Sequence, residues 1–149
     1  MKFVIQCTTQ ASVTIDQKLY SEIGKGFLVL IGICDEDTKE TADKMVRKLI
    51  GMRIFSDENG KTNLALKDVD GQLLLVSQFT LYADCKKGNR PSFVKAGSPQ
   101  HANELSESII DACKKEVPVV KTGVFGAEME VALINDGPFT IILDSKDLA

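Results

Sequence analysis

The sequence predicts an α+β fold: a largely antiparallel β-sheet forming a barrel-like core, with two main helices packed on it. Three observations predict it. Strand-like runs of apolar residues, some alternating and some continuous, recur along the chain. Only two segments carry a helical period. Most connections between the strand-like runs are short and hairpin-like, which suits antiparallel neighbours.

Phe3 to Thr8 reads as an opening strand. Ser12 to Ile23 alternates through Val13, Ile15, Leu19 and Ile23, with a bend near Asp16-Gln17-Lys18. Gly24-Lys25-Gly26 is a turn. Phe27 to Cys34 is apolar on both faces, the mark of a central strand. Asp37 with Glu40 has the form of a capping box. Ala42, Met45, Val46, Leu49 and Ile50 then share one face of a first helix and form a core stripe. Asp57-Glu58-Asn59-Gly60 is a turn. Leu73 to Val76 is a second buried strand. Asp84 to Gly97 has no period and reads as a long surface loop. Ser98 and Pro99 open a second helix as N-cap and first-turn proline. Its inner stripe is Leu105, Ile109, Ala112 and Cys113. Three strands follow, Val117 to Lys121, Ala127 to Ile134 and Phe139 to Leu143, the last two separated by a turn at Asn135-Asp136-Gly137-Pro138.

With 149 residues, 44% of them hydrophobic and 26% charged, the chain has the balance of a globular domain. One domain spanning residues 1–149 is expected. Its mass of 16.3 kDa implies a folded surface of about 7,500 Å². The net charge of -3 excludes a nucleic-acid binder that grips through its whole surface, so any such partner is held by a local patch. No apolar run approaches the length of about 20 residues that a membrane span needs. Four isolated cysteines, Cys7, Cys34, Cys85 and Cys113, suit a reducing cytoplasm. Zinc and other metals are not expected, because one histidine without paired ligands cannot hold them.

Standard nucleophilic triads fail at the same point. His101 lies in the first turn of the second helix and reads as a solvated residue. Gly24 and Gly26 lack the following helix of a phosphate loop. Glu128 and Glu130 read as one solvated strand face. Two segments stand out. Ser77-Gln78-Phe79-Thr80 puts polar groups at the carboxyl end of a buried strand, so this strand end is either exposed or turned toward a ligand. Asn135-Asp136-Gly137-Pro138-Phe139-Thr140 places Gly-Pro between two strands. A third feature is a cationic loop with Lys86, Lys87, Arg90 and Lys95, which is either solubilising or a landing site for a polyanion.

Ser77 to Asp84, continued by Lys86-Lys87-Gly88-Asn89-Arg90-Pro91-Ser92-Phe93, closely resembles the D-aminoacyl-tRNA deacylase family. So does Asn135 to Thr140, with further agreement at Ala11-Ser12-Val13, Leu28 to Gly32, Arg53-Ile54-Phe55 and Thr122 to Ala127. The resemblance spans essentially the whole chain. It implies a homodimeric cytoplasmic hydrolase, without cofactor, acting on the ester of D-aminoacyl-tRNA and on glycine mischarged on tRNA for alanine. The implied partners are aminoacyl-tRNA and a second copy of the chain, with no membrane and no DNA. The implied pocket lies at the dimer interface, where Ser77, Gln78, Phe79 and Thr80 of one subunit meet Gly137 and Pro138 of the other. The resemblance implies a cis Gly137-Pro138 bond whose carbonyls receive the substrate ammonium and exclude an L side chain. It implies hydrogen-bonding roles for Ser77 and Thr80, and roles for Gln78 and Phe79 in fixing the loop and the ester. It implies that Met129 lines the adenine pocket, with packing in the core as the equal reading. Lys86, Lys87 and Arg90 would hold the tRNA. The substrate's own ribose hydroxyl would help to activate water. Cys7 stands where the family commonly has an arginine thought to hold the Gly-Pro loop, and Gln10 where a basic residue is frequent. A non-catalytic tRNA-binding module and a small dimeric interaction protein unrelated to RNA are the competing readings.

Overall fold

A computed structural model describes residues 1–149. The sheet is built around one long strand. β1 (Lys2–Ile15) pairs through residues 2–8 with β3 (Gly26–Gly32) and through residues 11–15 with β2 (Lys18–Ile23). Asp16 and Gln17 make the β1–β2 turn with positive φ, as a tight hairpin of matching twist requires. The other side of β1 pairs along nearly its whole length with β8 (Glu130–Asp144). β6 (Gln72–Ser77) and β7 (Val120–Thr122) extend the sheet beyond β3. A small hairpin of β4 (Phe55–Ser56) and β5 (Thr62–Leu64) turns at Asp57–Gly60. The β2 edge curls back over the far strands: Ser21 Oγ donates to Thr122 O at 2.7 Å, and Gly24 N donates to Gln72 Oε1 at 2.8 Å. The sheet is nearly closed.

The expectation of a largely antiparallel sheet needs correction. β3 pairs with β6 in parallel, and so does β6 with β7. The cause is the two helices. α1 (Lys39–Gly51) lies between β3 and β6, and α2 (Pro99–Glu116) between β6 and β7. Each serves as the long crossover that a parallel pair demands. The result is a mixed sheet with three antiparallel and two parallel pairings. At Gly26 a side chain is impossible, because an added Cβ would lie 1.8 Å from Gln72 O across the β3–β6 pair.

Apolar residues fill both faces of the central strand. Phe27, Val29 and Ile31 join Phe3, Ile5, Leu73 and Leu75 against the buried stripes of α1 and α2. Leu28 joins Val13, Ile23, Leu74 and Val76 in a smaller cluster on the opposite face. This is why residues 27–31 read as a continuous apolar run.

Three local expectations change. The capping box of α1 is made by Thr38 and Thr41, each side chain receiving the other's backbone N–H, and not by Asp37 and Glu40. Asp37 is buried instead, accepting from Cys34 N at 2.8 Å and from the Met1 ammonium at 2.8 Å. His101 is half-buried, not solvated: its Nε2 donates to Asp37 O at 2.9 Å and ties the starts of the two helices together. Residues 130–144 form one strand, not two strands and a turn, because β1 continues opposite them on both sides of Gly137-Pro138. Thr8 pairs with Asn135 and Gln6 with Thr140, so Cys7 alone faces the four residues 136–139. The segment is a large bulge within a ladder. No helix is long and apolar enough to cross a membrane.

Candidate active site

The parallel strands place the site. β6 carries the buried run Leu73 to Val76 and ends at Ser77. Its neighbours β3 and β7 end beside it in the same direction. Carboxyl ends of parallel strands are where open α/β sheets hold ligands, because the chain diverges there to helices and loops. Gln78 N donates to Ile31 O at 2.8 Å, and the chain then turns through a single 3-10 turn at Phe79–Tyr82.

A cleft of 580 Å³ opens at this point. Ile31, Val76, Met129 and Val131 form apolar walls, the first turns of α2 contribute Ala102 and Ser106, and Phe79, Phe93 and Phe125 stand at its rim. Phe79 is 56% exposed and meets Phe93 edge-on, with ring centroids 5.2 Å apart. The polar groups are few and directed. Ser77 Oγ and Ser106 Oγ share a hydrogen bond of 2.9 Å. Gln78 Nε2 donates to Thr80 Oγ1 at 2.6 Å. The N–H groups of Phe79 and Thr80 open the 3-10 turn, where a helix start leaves its N–H groups without partners inside the helix. None of the residues lining the cleft is an acid, a base or a thiol.

The sequence model of a family described as D-Tyr-tRNA(Tyr) deacylase matches residues 4–144. The chain belongs to this family. A D-aminoacyl-tRNA deacylase of Clostridium novyi (strain NT) is 51% identical over 146 residues, covering 98% of each chain. One of Clostridium acetobutylicum is 49% identical over the same length and share. A solved structure named c-Myc DNA Unwinding Element Binding Protein is 41% identical and superposes with a TM-score of 0.91, over 97% of this chain and 98% of that one. A probable eukaryotic D-amino acid tRNA deacylase shares the fold at a TM-score of 0.79 and 17% identity, over 95% of this chain and 97% of that one.

Within this deacylase fold, Ser77, Gln78 and Phe79 line the cleft, and Thr80 is exposed beside it. Met129 lines the cleft and packs against the smaller apolar cluster. Its Sδ accepts from Val124 N at 3.4 Å and occupies the space beside Gly123, where a Cβ would meet it at 2.4 Å. Gly137 and Pro138 are not brought to the cleft within one chain. They are exposed on the bulge of β8, and the peptide bond between them is cis.

Lys86, Lys87 and Arg90 are exposed and free of ion pairs on a loop closed by backbone hydrogen bonds between Asp84 and Ser92. Lys95 is not free like them, because it pairs with Asp84 at 3.2 Å. The Asp84 carboxyl is held below the usual range, first by the Lys86 N–H and then by Lys95. Sequence reasoning missed Ser106. The available signal was a serine four residues after Ala102 and three before Ile109, on the inner stripe of α2.

Burial pushes the Cys7 thiol up to about 11, with the nearby Asp136 carboxylate adding to it. Burial pushes Cys113 up to about 12. Both stay protonated near neutral pH, which removes them as thiolate nucleophiles.

Proposed function

We propose that this chain removes D-amino acids, and glycine mischarged on tRNA for alanine, from tRNA by hydrolysing the aminoacyl ester, with the substrate's own ribose assisting. The observation that carries the reading is the chemistry of the cleft: directed hydrogen-bonding groups and the opening backbone N–H groups of a 3-10 turn, with no titratable side chain lining it. Such a site positions and polarises an ester without transferring its protons. The N–H groups of Phe79 and Thr80 face the developing oxyanion. Ser77 and Thr80 hydrogen-bond within the pocket, Gln78 holds the loop, and Met129 borders the adenine. Water attacks the ester carbon. The ribose hydroxyl beside the ester takes a proton from that water and returns one to the departing ribose oxygen as the ester bond breaks.

Handedness is set by main chain. Gly137 and Pro138 of a second copy close the cleft, their carbonyls accept the substrate ammonium, and an L side chain collides with them. Rejection by a rigid wall leaves D side chains free to project outward. The edge position of β8 supports the required dimer. Its outward face exposes Ile134 at 51% and Ile142 at 72%. The chain's surface of 8858 Å² also exceeds the roughly 7,500 Å² of a compact monomer of this mass. The substrate places the reaction in the cytoplasm.

Incubation with D-tyrosyl-tRNA and L-tyrosyl-tRNA tests the reading. The D ester should disappear at catalytic amounts of protein while the L ester persists. Binding of both without ester loss would establish a non-catalytic tRNA-binding module instead.

The cationic loop yields a separate expectation. Replacing Lys86, Lys87 and Arg90 by glutamine should raise KM at physiological salt and leave kcat unchanged. It should also flatten the slope of log affinity against log salt by about 2 to 3, the release expected from three phosphate contacts. An unchanged slope in a salt titration of tRNA binding would show that the loop only confers solubility.

A further inference from the structure

The bulge that presents Gly137 and Pro138 is long for its place in a ladder. Cys7 alone opposes the four residues 136–139, so the β1–β8 pairing cannot hold them. Gly137 has φ +139, a conformation L side chains rarely adopt, and the tip residues 136–138 are exposed. A segment without ladder bonds or burial samples many conformations unless something else fixes it.

One side chain reaches it. Asn135 Oδ1 accepts from Phe139 N at 2.6 Å, and Asn135 Nδ2 donates to Thr140 Oγ1 at 2.9 Å. The amide thereby clasps the two ends of the bulge, from the last ladder residue before it to the first after it. No other side chain hydrogen-bonds to residues 136–139. Cys7, directly opposite, offers only a buried protonated thiol. Phe139 is the one half-buried residue of the four and packs against the main core. Its N–H is therefore a fixed point to which Asn135 ties the strand.

We propose that Asn135 is a positioning residue for stereochemical selection: its amide closes the bulge and fixes where Gly137 and Pro138 point. The inference rests on the reading that Gly137 and Pro138 reject L substrates. Asn135 touches no substrate. It acts through the loop, so its removal changes the ratio of D to L hydrolysis, a quantity in which the amount of folded enzyme cancels.

Four variants of the full chain decide it, each assayed on D- and L-tyrosyl-tRNA beside thermal unfolding. Asn135→Ala removes both hydrogen bonds and should lower the D-over-L ratio of kcat/KM about tenfold, equivalent to about 1.4 kcal/mol of discrimination. Asn135→Asp keeps an acceptor for Phe139 N–H and should recover most of the ratio. Thr140→Val removes only the second bond and should lower the ratio less than Asn135→Ala. Gly137→Ala tests the gate itself. A ratio eroded by Gly137→Ala and untouched by Asn135→Ala overturns the role of Asn135 and leaves the gate standing. A ratio untouched by Gly137→Ala overturns the gate and the inference with it. If Asn135→Ala fails to fold, wild-type ratios in both Asn135→Asp and Thr140→Val overturn the proposal, and a lowered ratio in Thr140→Val upholds it.

Discussion

Gly137→Ala should lower kcat/KM on D-aminoacyl-tRNA about a hundredfold, the scale on which a displacement of about 1 Å near a reacting centre acts. The D-over-L ratio should shrink with it. The argument is steric. At φ +139 an alanine is strained, and its Cβ would lie 3.0 Å from Phe139 N and 3.2 Å from Phe139 Cβ. Phe139 cannot retreat freely, because its N–H is held by Asn135 and its ring packs on the core. The bulge must shift instead, and the carbonyls of residues 137 and 138 shift with it. Gly60→Ala is the matched control. Gly60 has φ +76 in the β4–β5 turn, with open space where a Cβ would go, so backbone strain arises without touching the site. It should cost about 1 kcal/mol of stability and leave the ratio unchanged. Measured kcat/KM values for both substrates check the pair. Wild-type selectivity in Gly137→Ala would remove the main-chain gate from the account.

The fold was legible where local chemistry and tertiary context agree. Ser98 and Pro99 open α2 as their types require, Ser98 accepting from His101 N. The continuous apolar run at Phe27 to Ile31 became the central strand. Sheet polarity was misread because the short hairpins dominate the pattern, although a helix separates β3 from β6 and another separates β6 from β7. Strand–helix–strand order was the signal for parallel pairing. β8 was divided because Asn-Asp-Gly-Pro carries every mark of a turn. Only a long partner strand keeps such a segment within a ladder, and the length of β1 was hidden by polar Thr8 to Gln10 at its middle. Asp37 was assigned to the helix cap for its type, whereas burial beside Cys34 N and Met1 decided its partners.

At the site, Ser77 to Phe79 were legible as lining because a buried strand delivers them to its carboxyl end. Ser106 was hidden by its position on a helix whose other inward residues are mostly apolar. Asn135 was quoted within a motif, but its clasp depends on pairing partners 6 and 8, which no local pattern reveals. Gly137 and Pro138 do not reach the cleft within one chain, so no periodicity in the sequence relates the two.

A D-tyrosyl-tRNA esterified at the terminal ribose but lacking the hydroxyl beside the ester should be hydrolysed between about a hundredfold and ten-thousandfold more slowly, the span a positioned proton-transfer group contributes. Its affinity should remain within a few-fold of the natural substrate's. The protein offers no replacement for that hydroxyl. A general base must stand within hydrogen-bond reach of the attacking water, and the cleft lining holds none. His101 is committed to Asp37 O at 2.9 Å. Thr80 Oγ1 receives a hydrogen bond from Gln78 Nε2, a donor that draws electron density away from the oxygen and does nothing to remove its proton. Thr80→Ala should therefore stay within about tenfold of wild type, the value of one hydrogen bond in the pocket. Single-turnover rates on the two substrates, taken with both enzymes, separate the contributions. Full-speed hydrolysis of the deoxy ester, coupled with collapse of activity in Thr80→Ala, would transfer the chemistry from the RNA to the threonine hydroxyl.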